Sequence, residues 1–169
     1  MNKKIIWGTV IAVIVMIGAG YYLNSFKSFE PGEVSTSDWK TYTNTKYGFE
    51  FKYSKNLHIS SSYTGVITQA DNVSVTPYTQ EQLKDLGKEI SEILISVSDK
   101  KNIEPEKTVS RKEILIDGIK AVQYDTQGGM LDTQLIVILF QKDNKYYRIV
   151  GWSLRPQLDS ILSTFKFTN

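Results

Sequence analysis

Residues 5–23, IIWGTVIAVIVMIGAGYYL, run for nineteen positions without a charge. An α-helix rises about 1.5 Å per residue, so such a run reaches about 28 Å, close to the hydrocarbon thickness of a bilayer. Ile5, Ile6, Trp7, Val10, Ile11, Val13, Ile14, Val15, Met16 and Ile17 supply its apolar surface. Tyr21, Tyr22 and Leu23 close it with residues suited to a membrane–water interface. The run predicts a single-pass transmembrane signal anchor. Lys3 and Lys4 precede it, and the positive-inside rule then keeps residues 1–4 in the cytoplasm and sends the rest across the membrane. A cleaved signal peptide is the rival reading, with Gly18-Ala19-Gly20 as its small residues. The apolar run continues past them to Leu23, longer than the usual signal-peptide core of about 7–15 residues, which favours an anchor that stays attached.

Charge limits what lies beyond the anchor. All eighteen acidic residues follow residue 23, and with Lys3 and Lys4 set aside they face eighteen bases. A nucleic-acid partner is therefore not expected, because counterion displacement needs a basic surplus. Lys145-Tyr146-Tyr147-Arg148 mixes bases with aromatics, but it reads better as a strand with one buried and one exposed face than as a stacking platform. The chain has no cysteine, which excludes disulfides, thiolate-ligated metals, thiol nucleophiles and lipidation at a lipobox cysteine. Residues 24–38, NSFKSFEPGEVSTSD, read as a flexible linker, leaving 39–169 as one extracytoplasmic domain.

That domain has mainly strand-like patterning. Residues 47–53, YGFEFKY, alternate aromatic and polar side chains, the period of a half-buried strand. Short strands are expected over 57–62 and 73–77, with Asp71-Asn72 as a turn. Residues 79–87, TQEQLKDLG, predict a short helix with Thr79 as N-cap and Glu81 and Gln82 in its first turn, then a strand through Ile93, Ile95 and Val97. Asp117-Gly118 between 112–116 and 119–126 is a strong hairpin signal. Asp143-Asn144 marks a second hairpin between 134–141 and 146–152, and Gly128-Gly129 a looser turn. Pro156 suits the first turn of a closing helix, whose Leu158, Ile161, Leu162 and Phe165 form one apolar stripe. Antiparallel hairpins with helices packed against them predict an α+β domain.

Two segments and one hairpin carry a resemblance. Residues 39–57, WKTYTNTKYGFEFKYSKNL, and 161–167, ILSTFKF, bracket the Ile116-Asp117-Gly118-Ile119-Lys120-Ala121 hairpin. In this order they are similar to the PsbP-like domain, common in short anchored bacterial proteins. The resemblance implies a central, mainly antiparallel sheet of about six strands with helices on both faces, an α/β/α sandwich. Ser54 stands where that family usually has proline, and residues 102–112 are too short for a helix many relatives carry there. No functional residue and no cofactor is implied for this chain.

Candidate chemistry is sparse. His58 is the single histidine and lies in a strand pattern that turns Leu57 and Ile59 inward. Asp117, Asp125 and Asp132 are too dispersed for a calcium loop, and Gly128-Gly129 lacks the lysine and helix of a phosphate loop. Trp39, Tyr42, Tyr47, Phe49, Phe51 and Tyr53 read first as core, and otherwise as an exposed docking patch. The expected function is a non-enzymatic, membrane-tethered module that binds a membrane or envelope protein. The alternative is a small-ligand or lipid-binding module with an apolar groove, and an unrecognised hydrolase ranks third. A flat aromatic surface would favour the first, and a pocket of a few hundred Å3 with apolar walls the second. A cleft pairing a buried carboxylate or serine with a shifted base would favour the third.

Overall fold

A computed structural model describes residues 38–60, 71–86, 92–127, 134–152 and 155–168. The predicted anchor and most of the linker lie outside these residues, as do Gly128-Gly129 and Asp132. No helix among the described residues is long and apolar enough to cross a membrane.

Among the described residues ten strands and two helices follow in order: β1 Lys40–Asn44, β2 Phe49–Tyr53, β3 His58–Ser60, β4 Asp71–Thr76, α1 Gln80–Leu86, β5 Ile93–Ser98, β6 Thr108–Ile116, β7 Ile119–Gln127, β8 Gln134–Lys142, β9 Lys145–Gly151, α2 Arg155–Thr164 and β10 Lys166–Phe167. They build two sheets. The larger has seven strands in the order β3-β4-β5-β9-β8-β7-β6, every neighbouring pair antiparallel. The smaller has three, β1-β2-β10, also antiparallel.

Local chemistry explains the main features. Asp117 and Gly118 take positive φ, 48° and 78°, and close the β6–β7 hairpin as its two-residue turn. Asp143 and Asn144 do the same between β8 and β9, at 49° and 60°. Aspartate and asparagine tolerate this left-handed region better than most side chains. Thr79 caps α1 as expected: its hydroxyl accepts from Gln82 N at 3.3 Å while Gln82 Oε1 accepts from Thr79 N at 2.9 Å. This reciprocal pair is a capping box. Asp71 and Asn72 are the first residues of β4 and not a turn, because their backbone pairs with Val97 and Ser96 of β5.

The three-layer expectation needs correction. One face of the large sheet is covered by the small sheet and α2 together, whereas seven-residue α1 packs extensively on no other described element. A helix of two turns is too short to cover a seven-stranded sheet, so the second helical layer is not formed by the described residues. Between the sheets lies the main core, in which Phe49, Phe51, Ile93, Ile95, Ile138, Ile149, Leu158 and Ile161 are almost entirely buried. Aromatic rings knit it together. Phe165 stacks on Phe49 at 5.1 Å between centroids, and Tyr147 stacks on Phe140 at 4.8 Å. Helix α2 comes close enough to β9 that a Cβ on Gly151 would lie 2.7 Å from Leu158 Cδ2.

Side-chain links tie the small sheet down. Thr164 Oγ1 at the end of α2 accepts from Lys52 N at 3.0 Å. Asp117 Oδ2 accepts from Phe167 N at 2.8 Å, so the hairpin turn also anchors β10. Lys46 and Tyr47 both donate to Asp71, joining the β1–β2 turn to the start of β4.

Candidate binding groove

Alternation along the strands gives the large sheet two unlike faces. Ile138 and Phe140 of β8, Tyr147 and Ile149 of β9, and Ala121 of β7 point into the core. Leu139, Arg148, Val122 and Tyr124 therefore point to the opposite face, because successive side chains in a strand alternate. The registers agree: Leu139 pairs with both Val122 and Arg148, and Arg148 pairs in turn with Ser96.

On that opposite face Leu94, Tyr124, Val137 and Val150 form a second, smaller apolar cluster, with Val122, Leu139 and Trp152 packed beside it. The connection between β5 and β6 runs along the edge of this surface. Asn102 Nδ2 donates to Tyr147 O at 2.8 Å, and Thr108 Oγ1 donates to Pro105 O at 3.0 Å. Lys145 at the β8–β9 turn forms an ion pair with Asp99, and the pair holds the Lys145 ammonium above its ordinary pKa. Between the connection and the strands lies a groove of about 670 Å3. Val122, Tyr124, Leu139 and Tyr146 form its floor and wall, and Ile103, 81% exposed, sits at its mouth. Lys101, Lys120 and Glu104 line it with charge. Arg111 on β6 stands 5.9 Å from the centre of the Tyr124 ring, a cation–π distance.

Arg148 lies beside the groove, paired in register with its wall residue Leu139. Burial pulls its guanidinium below the ordinary arginine range. Among the described residues it forms no ion pair, and its buried Nε has no hydrogen-bond partner. The hydroxyl of Ser96, 2% exposed on the neighbouring strand, has none either.

The residues singled out from sequence fall elsewhere. Phe49 and Phe51 are core, and Tyr42, Tyr47 and Tyr53 pack partly buried against it with Trp39, so the stripe is packing and not a flat docking patch. Burial raises the pKa of Tyr42 and of Tyr147. His58 is half-buried opposite Thr76, with Ile59 packed on the core as expected. Asp117 closes its turn, and Asp125 accepts from Ser110 Oγ at 2.7 Å and Gln123 Nε2 at 3.0 Å. Among the described residues no cluster of three or more His, Cys, Asp or Glu could hold a metal. Residues 145–148 do alternate in a strand, with Tyr147 buried, but Tyr146 and Arg148 on the other face are half-buried and not exposed as expected. The groove itself escaped the sequence, because its floor comes from β7, β8 and β9 and its mouth from a connection with no motif.

No family model and no curated protein matches the chain. Among solved structures, the solution structure of cyanobacterial PsbP (CyanoP) from Synechocystis sp. PCC 6803 is similar with a TM-score of 0.49 at 12% identity. The likeness covers 80% of this chain and 96% of that one. At that score it transfers no residue role.

Proposed function

We propose that the chain is a non-enzymatic binding module, tethered to the membrane by residues 5–23 with its domain on the extracytoplasmic side, and that the groove beside β7, β8 and β9 takes a small apolar ligand. The groove carries this reading: about 670 Å3 with Val122, Tyr124, Leu139 and Ile103 around it. Small-ligand pockets are typically some 300–1,000 Å3, mostly apolar, with a few polar groups that fix orientation. The tether is supported by the uncharged nineteen-residue run and its flanking Lys3 and Lys4. It would hold the groove close to whatever the membrane supplies. Membership of the PsbP-like family is part of the proposal and rests on the segments 39–57, 116–121 and 161–167.

A second reading, docking of a membrane or envelope protein, is favoured by the β6 edge. Among the described strands β6 pairs with β7 alone and exposes Val109 and Leu115 at 70% and 69%, and an open edge can accept a further strand. One experiment separates the two. Full-length protein and its Val122→Lys variant are purified from native membranes, and co-purifying small molecules are identified by mass spectrometry. The proposal expects one class of apolar small molecule on the wild type and its loss from the variant. Equal small-molecule content in both, with a protein crosslinked through β6, would replace the groove reading with the second.

A further inference from the structure

Uncovered apolar surface gathers at one margin of the large sheet. Among the described residues the exposed large hydrophobic side chains are Ile103, Val109 and Leu115, and two of the three belong to β6. Among the described strands β6 has β7 on one side and none on the other. Its residues 108–113 are all exposed. A strand so placed presents a row of backbone N–H and C=O groups to any strand that fits.

The register with β7 says which residues present them. Asp117-Gly118 is a two-residue turn with Ile116 opposite Ile119 at its base. In such a turn the first carbonyl accepts from the fourth N–H, so the closing pair is a hydrogen-bonded one. Hydrogen-bonded and non-hydrogen-bonded pairs alternate along an antiparallel ladder. Ile116, Ile114 and Lys112 therefore direct their backbone groups at β7, whereas Leu115, Glu113 and Arg111 turn theirs outward. The last three also share the groove face, because they stand opposite Lys120, Val122 and Tyr124. Between Thr108 and Ser110 the register shifts, and a bulge of this kind ends regular pairing. The regular outward ladder thus runs from Ser110 to Leu115.

The order of charges on this ladder is self-complementary. Arg111 and Glu113 have opposite signs and flank Lys112 symmetrically. When two copies of β6 run antiparallel about a two-fold axis at Lys112, Arg111 of each stands opposite Glu113 of the other. Both members of that pair turn their backbone groups outward, so the same register matches donors with acceptors. Ser110 then faces Ile114, and Leu115 arrives beside Val109 of the second copy, apolar on apolar. Lys112 meets itself, but its ammonium ends a flexible four-carbon stem and can turn to solvent. Sliding one copy by two residues, the smallest step that keeps the sheet faces matched, sets Arg111 against Arg111 or Glu113 against Glu113. Opposite charges directly across a strand pair stabilise it and like charges destabilise it. One register is favoured over its neighbours.

We propose that β6 is a self-association edge, through which two copies of this chain pair antiparallel over residues 110–114, centred on Lys112, and join their large sheets. A second copy is the occupant that the strand's own charge order fits. The proposal concerns the edge and stands whether or not the groove takes a ligand.

The chain contains no cysteine, so single-cysteine variants report position cleanly. Full-length Lys112→Cys, Arg111→Cys and Glu113→Cys are oxidised in native membranes, and disulfide-linked dimer is quantified on non-reducing gels and identified by mass spectrometry. In the proposed register position 112 alone faces itself, across a non-hydrogen-bonded pair. Cα atoms there lie about 4.5 Å apart, within the range of about 4.4–6.8 Å that a disulfide accepts. The proposal expects roughly fivefold or more dimer from Lys112→Cys than from either neighbour. Arg111→Glu added to Lys112→Cys sets like charges across both pairs and should cut the dimer by a similar factor. Adding Glu113→Arg as well swaps the two charges and should restore the dimer, which a folding defect would not allow. The proposal is overturned by no dimer from Lys112→Cys, equal dimer at the three positions, or a maximum at 111 or 113. It is equally overturned by dimer that ignores both charge changes, or by capture of a different protein alone.

Discussion

The two faces of the seven-stranded sheet use the same strands for different ends. On the core face, Ile93, Ile95, Ile138 and Ile149 have no measurable exposure and meet the rings of Phe49, Phe51 and Phe165 across the interface. On the groove face, Val122 and Leu139 remain partly exposed, and among the described residues the buried Arg148 Nε and Ser96 Oγ have no hydrogen-bond partner. A face built for stability closes every gap with complementary side chains. The groove face keeps a gap of about 670 Å3. On the proposed reading, the binding site lies on the less well-packed side.

The largest expected effect breaks the core face. Phe49→Ala removes a ring stacked on Phe165 and is expected to cost about 3–5 kcal/mol, measured by urea unfolding. A cost under about 1 kcal/mol would mean that the two sheets are not held together as described. Next is Gly151→Ala, whose methyl would press on Leu158 Cδ2 inside the core. Overpacking there is expected to cost about 1–3 kcal/mol. No destabilisation would show that α2 can shift away from β9.

Smaller effects sharpen the contrast. Thr79→Ala removes one half of the capping box, worth about 1 kcal/mol to a helix. Because α1 packs so little on other described elements, the change is expected as faster amide exchange within 80–86 and hardly at all in global unfolding. The smallest effect concerns Asp71. Hydrogen bonds from Lys46 and then Tyr47 hold its carboxyl below the ordinary value of 3.8. A lowered carboxylate pKa stabilises the fold above the unfolded value, and that contribution is lost as pH falls through the lower folded value. Wild type should therefore melt about 1–2 °C above Asp71→Asn at pH 6 in low salt, the two converging as pH falls through the lowered folded value. Half of Asp71 is exposed, so the difference should also shrink in high salt.

How much of this was legible in the sequence follows from periodicity. β2 alternates cleanly between aromatic and charged residues, so Phe49 and Phe51 could be assigned to a core directly. The Asp117-Gly118 and Asp143-Asn144 turns fixed both long hairpins, and the 158–165 stripe fixed the closing helix. β7 was different. Its sequence IKAVQYDTQ places Ala121 and Gln123 on the buried face and Val122 and Tyr124 on the groove face. Apolar and polar residues are mixed on both sides, and no period-2 argument can choose between them. β8, QLIVILFQK, is apolar on both faces for the same reason. The second sheet depended on a pairing between β2 and β10 across more than 100 residues, which local pattern does not carry. Arg148 gave no signal in sequence, since a lone arginine in a strand is ordinary.

Adjacent residues of β8 offer the most direct test. Ile138 is buried in the core and Leu139 borders the groove, one peptide bond apart. The measurement is paired on full-length protein: unfolding free energy in urea, and groove labelling by a decanol that carries a photoactivatable diazirine, for Ile138→Ala and Leu139→Ala. The account predicts that Ile138→Ala loses about 2–5 kcal/mol and, while folded, labels as the wild type does. Leu139→Ala should lose roughly 1 kcal/mol or less and most of its groove labelling. If both substitutions cost stability alike and labelling follows stability alone, the two faces do not differ in role and the groove is not a binding site.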